Sequence, residues 1–191
     1  MWGELLIESL LRPRLAARRL YALPIAPGTV AEVAAVVACL GILLGYAALV
    51  MTGGGIDPVS AAALAVPLLG AAIQLAVMAG IAFLTWWLGA RFGGRGDPLG
   101  AAKAVVWLNV VMLAFQAAQL VILPIAPPVA AFIAVATLFW LFWAYANFTA
   151  ELHDFASPFM VLGVAVLTAV GLALALAAIA SELGFTPGGA P

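Results

Sequence analysis

Charge is what this chain has least of. Only 8% of its 191 residues are Asp, Glu, Lys or Arg, against 67% hydrophobic, whereas a soluble domain carries about 25% charged residues. So few charges cannot coat a water-facing surface, and lipid is the expected solvent for most of the chain. Seven basic and eight acidic residues leave a net charge of −1, which excludes the broad basic field that general nucleic-acid binding requires. The single cysteine, Cys39, lies within an apolar run; it cannot close an intrachain disulfide and says nothing about redox compartment. Catalytic patterns are missing too. Ser9, Ser60, Ser157 and Ser181 lack a nucleophile-elbow context, and Cys39 has no histidine near it in sequence. Neither an enzyme activity nor a cofactor is expected. A cleaved signal peptide is also not expected, because the first twenty residues mix Glu4, Glu8 and four arginines where an apolar core would be needed.

What the chain has is long apolar runs, each opened by a helix-start signal. Thr29-Val-Ala-Glu32 has capping-box spacing. Asp57-Pro58, Asp97-Pro98 and Ser157-Pro158 each put a capping side chain before a proline suited to the first helical position, and Pro127-Pro128 opens a further run. These signals predict an all-α membrane protein, a bundle of five transmembrane helices at about 29–51, 58–90, 98–123, 128–149 and 157–182, each near or above the ~20 residues a bilayer needs. The second run is too long for an upright crossing, and Pro67 and Gly70 are its expected kink. The bundle proper spans 28–183, and residues 184–191 read as a disordered tail.

Ahead of the bundle, residues 1–27 form an amphipathic segment. Glu4, Glu8 and Arg12 recur at i+4 and share one helix face, with Leu6, Ile7, Leu10 and Leu11 largely opposite; Pro13 interrupts the run and Arg14, Arg18 and Arg19 follow. This pattern predicts a helix lying in the membrane interface, with a solvated helical tail as the plainer alternative.

The basic residues are distributed unevenly. Four arginines precede the first span, Arg91, Arg95 and Lys103 surround the junction of spans two and three, and no other connection carries Lys or Arg. Five spans starting inside put all seven on the cytoplasmic side. The expectation is a bacterial inner-membrane protein with a cytoplasmic N-terminus and a periplasmic C-terminus. All six tryptophans fall in the same half, so a working surface, if there is one, belongs on the cytoplasmic face.

Within that face, Gly93-Gly94-Arg95-Gly96 leads into the third span beside Arg91 and Lys103. Free amides at a helix start, flanked by cations, suit a phosphate such as a lipid headgroup; a flexible turn carrying topogenic charge is the competing reading. Arg12, Arg14, Arg18 and Arg19 are the further candidates for contact with anionic lipid or a partner's acidic surface. Gln74 in the second span and Asn109, Gln116 and Gln119 in the third are either interhelical glue or the lining of a polar path. Glu151, His153 and Asp154 combine donor types that suit a metal or a proton site, but with one histidine in the chain a headgroup-level polar turn is preferred. Gly41-xxx-Gly45 and the stripe Ala72, Ala76, Gly80 permit close helix approach, within the bundle or between copies.

The segment Leu11-Arg-Pro-Arg-Leu-Ala-Ala-Arg-Arg-Leu20, the five-span layout and the Gly93-Gly-x-Gly96 turn before an Ala/Lys-rich helix start together resemble bacterial members of the Yip1 family. The resemblance implies the same five-span topology and supplies no catalytic residues. In the family's eukaryotic members it implies association with vesicle trafficking and Rab-type small GTPases. A membrane-organising or adaptor role through the cytoplasmic face follows as the leading expectation. A small transporter for a neutral or lipidic solute, and a subunit or assembly factor of a larger membrane complex or homo-oligomer, are the alternatives.

Overall fold

Prolines decide where the helices begin. The computed structural model describes residues 2–52 and 66–182, and its helices are α1 (Trp2–Leu11), α2 (Pro13–Ala22), α3 (Pro27–Thr52), α4 (Pro67–Arg91), α5 (Pro98–Ile122), α6 (Pro127–Leu152) and α7 (Pro158–Glu182). All but α1 start on proline, whose missing N–H costs nothing in a first turn where amides have no intrahelical partner. The five helices from α3 to α7 are long and apolar enough to cross a bilayer, with mean hydropathies of 2.0 to 2.5. The chain is therefore a multi-pass membrane protein.

Three helix starts differ from the sequence expectation. Pro67 opens α4 and does not kink it: Val66 before it is extended, with φ −124° and ψ 83°, the conformation a following proline imposes. The Asp57-Pro58 cap and the start expected there lie outside the described residues. α3 begins at Pro27, where the Ala26 carbonyl takes the first bond from the Val30 amide at 3.2 Å. Thr29 thus sits inside the first turn and does not cap it. α6 begins at Pro127 and runs on to Leu152, past the expected end at 149. The Asp97 cap is as expected, its carboxylate accepting from the Gly100 amide at 3.1 Å, and Ser157 Oγ accepts from the Phe159 amide at 3.3 Å.

α5 is the axle, packing against α3, α4 and α6, whereas α7 packs mainly on α6. Over the most apolar window of each span, 28% of α5 is buried but only 6% of α7. Among the described residues, the largest core cluster is not in the middle of the bundle. It lies at the N-terminal end, where Leu5, Ala16, Ala17 and Leu20 meet Ala104, Trp107, Leu108 and Val111 of α5 and Ala144 and Phe148 of α6. The residues predicted to form one interfacial helix are two helices, broken at Arg12 and docked onto the bundle. The buried line on α1 is Leu5 and Ser9, while Ile7 and Leu11 are exposed.

Gly41 and Gly80 do not sit at close crossings. A methyl added at Gly41 would meet only Leu113 Cδ2 at 3.8 Å, one at Gly80 would meet nothing within 4 Å, and Ala72, Ala76 and Gly80 are exposed.

Candidate functional site at the basic end

α6 ends in a Schellman motif. Asp154 takes the left-handed position at φ 59°, and the Phe155 amide donates back to the Ala150 carbonyl at 2.8 Å. This turn aims His153 across the bundle. α4 ends the same way, with Gly93 at φ 83°, the Gly93 amide on the Ala90 carbonyl at 3.1 Å and the Gly94 amide on the Gly89 carbonyl at 2.8 Å. Only Gly93 needs glycine for its dihedral angle.

The other glycines are there because of His153, which is 1% exposed. A Cβ at Gly89 would sit 2.1 Å from its Nε2, one at Gly94 2.5 Å from its Nδ1, and one at Gly96 2.7 Å from its Cε1. Within this cage Nδ1 accepts from the Gly96 amide at 3.2 Å, and Nε2 lies 3.1 Å from the Thr85 carbonyl. An accepting Nδ1 and a carbonyl opposite Nε2 together require the neutral Nε2–H tautomer. Phe155 stacks on the ring, 5.5 Å between centroids at 22°. Burial holds the imidazole's pKa below its usual 6.5, partly offset by the Thr85 carbonyl.

One turn earlier, Glu151 ties the N-terminal helices to α6. Its Oε2 accepts from Arg14 Nε at 3.0 Å and its Oε1 from Arg18 Nε at 2.7 Å. Arg14 also donates to the Phe155 carbonyl at 2.8 Å. The Tyr21 hydroxyl donates to the Phe148 carbonyl at 2.9 Å, and burial, with the Glu151 charge, raises its pKa well above the usual phenol range. Lys103 Nζ donates to the Leu23 carbonyl at 2.8 Å, fastening the α2–α3 link to α5. Trp107 Nε1 donates to Ser9 Oγ at 2.8 Å and Trp140 Nε1 to the Leu10 carbonyl at 3.3 Å. These two tryptophans hold α1 in place.

The predicted site residues do not gather in one place. Arg14, Arg18, Arg19 and Lys103 join the basic end together, Arg19 through an ion pair to Glu8 at 2.7 Å. Arg91 lies over the Trp87 ring at 4.9 Å, and Arg12 and Arg95 are exposed. The amides of Gly93, Gly94, Gly96 and Gly100, which a phosphate cradle would have used, are already donated to protein acceptors. Glu151 faces the arginines, His153 faces the glycines and Asp154 faces solvent, so these three do not converge. Among the described residues no three His, Cys, Asp or Glu side chains form a metal-binding group.

The intramembrane amides separate as well. Gln74 Nε2 donates to Asn109 Oδ1 at 3.3 Å and Asn109 Nδ2 to the Val105 carbonyl at 2.9 Å, which pairs the first two across α4 and α5. Gln116 and Gln119 border a cavity of about 380 Å³ toward the opposite end, between α3, α5 and α6, and Gln116 Oε1 is buried there without a protein partner.

Two recesses meet at Lys103. One, about 280 Å³, is polar and is lined by Arg18, Tyr21, Arg95, Asp97, Lys103 and Glu151. The other, about 470 Å³, is apolar and lies between α1, α3 and α5. Tyr21, the Ser9–Trp107 bond and the bridging role of Glu151 escaped sequence reasoning. The available signals were a serine four residues from Leu5 on a buried line, and an acid placed at the end of a span opposite an arginine-rich helix. No family model, curated protein or solved structure matches the chain.

Proposed function

We propose that this protein is a non-enzymatic, multi-pass membrane protein of the Yip1 type that acts as an organiser or adaptor through one face. That face combines α1, α2, the 91–103 turn and the end of α6. In a bacterial inner membrane with the N-terminus inside, it is cytoplasmic. One observation supports this reading above the others: every Lys and Arg of the chain lies at this end, and several of them hold it together. Most of the polar architecture is thus invested in shaping one end of an otherwise greasy bundle. The neutral, doubly bonded His153 is a structural pin, with neither ring nitrogen left for acid–base chemistry. Arg91 and Arg95 project from the pinned turn, where they suit anionic headgroups or an acidic protein surface. Crosslinking followed by co-purification from native membranes tests the reading. Capture of a membrane or cytoplasmic protein that weakens in the Arg91→Ala, Arg95→Ala double variant, with insertion unchanged, is expected. Equal capture by that variant and the wild type would overturn it.

A further inference from the structure

Among the described residues, Lys103 is the only charged one lining the 470 Å³ groove, whose walls include Trp2, Leu6, Leu20, Val33 and Trp107. The same lysine lines the 280 Å³ polar recess with Arg18, Arg95 and Tyr21. Together the two recesses fall in the range of pockets that enclose small ligands. The recess also holds two carboxylates, but both are occupied: Glu151 by Arg14 and Arg18, and Asp97 by the Gly100 amide. Among the described residues, Arg95 and Lys103 are the cations of the recess without a carboxylate partner there, Lys103 Nζ donating only to the Leu23 carbonyl. An apolar groove beside a cationic recess, at the end of a membrane bundle, matches the two halves of one molecule.

Resting on the reading above, we propose that groove and recess form a single site for an anionic phospholipid, its phosphate against Arg95 and Lys103 and one acyl chain in the groove. A membrane lipid reaches the groove without leaving the bilayer, because α1 and α3 bound it. The apolar wall rewards chain burial whatever the headgroup, and the two cations select the anionic one.

Native mass spectrometry of the full chain, released from micelles with equal amounts of dioleoyl phosphatidylglycerol and dioleoyl phosphatidylcholine, tests this. The wild type is expected to retain phosphatidylglycerol preferentially. Arg95→Ala, at an exposed position, lowers that preference by about fivefold, the effect of one cation near an anionic lipid. Val33→Phe, which fills the groove, lowers retention of both lipids. Soluble glycerophosphoglycerol, the headgroup without chains, does not compete. Equal retention of the two lipids by the wild type, indifference to both variants, or full competition by the bare headgroup would each overturn the proposal. Lipid selectivity with no protein captured would leave this site standing and remove the adaptor reading. Capture without selectivity would do the reverse.

Discussion

At the basic end His153, Glu151, Tyr21, Lys103 and Trp107 each reach from one element to another. At the opposite end, where α3, α5 and α6 surround Gln116 and Gln119, the polar groups behave differently. Thr52 bonds to carbonyls of its own helix, 3.0 Å from that of Ala48, and Gln116 leaves an oxygen unpartnered beside a cavity of about 380 Å³. Both ends are built from the same Ala- and Val-rich helices, so hydrophobicity does not separate them. In lipid, apolar contact between helices gains little over contact with acyl chains. Position is instead set by hydrogen bonds and by close steric fit, and among the described residues the basic end holds most of both. The contrast locates the part of the molecule that must keep its shape.

The largest effect expected concerns Gly89. Gly89→Ala drives a methyl into the His153 ring and is expected to cost about 3 kcal/mol, read as a large fall in the detergent melting temperature. Acidification comes next. Because burial lowers the folded-state pKa of His153, the folded protein binds fewer protons than the unfolded chain below about pH 6.5. Stability is complete above that pH and falls as the pH drops through it toward the lower folded value. Melting curves between about pH 8 and pH 5 should show this loss, and His153→Gln should flatten it.

Ser9→Ala is a smaller change. It leaves the Trp107 indole N–H buried without its acceptor, at about 1 kcal/mol, and should speed protease cleavage near Arg12 as α1 loosens. Smallest of all is Gly80→Ala. With open space around it, this change should stay within about 0.5 kcal/mol, although both it and Gly89→Ala add one methyl to the same helix.

Much of this was legible in the sequence, and the part that was not has a common cause. Helix starts followed local chemistry, so Asp97-Pro98 and Ser157-Pro158 could be read directly. Pro67 was misjudged because proline within a long apolar run is compatible with both a kink and a new start, and only the path of the preceding chain decides between them. The uneven distribution of Lys and Arg indicated which end carries the charge. What that end is made of could not be read, because the glycines of the 89–96 segment answer to a histidine more than fifty residues away. A glycine kept small by a ring looks the same in sequence as one that bends a turn or cradles a phosphate. Similarly, Trp107 and Trp140 could be placed only by depth, and their acceptors lie on α1, about 100 residues earlier or more.

The central claim is that His153 and its glycines form one steric unit that locks the basic end, and a double-mutant cycle of Gly89→Ala and His153→Ala measures it most directly. His153→Ala alone costs stability, since the Gly96 amide and Thr85 carbonyl lose their partner. On that background the added methyl enters vacated space and should cost almost nothing, giving a coupling of about 3 kcal/mol between the two sites. Additive losses, with Gly89→Ala as damaging without the histidine as with it, would contradict the account.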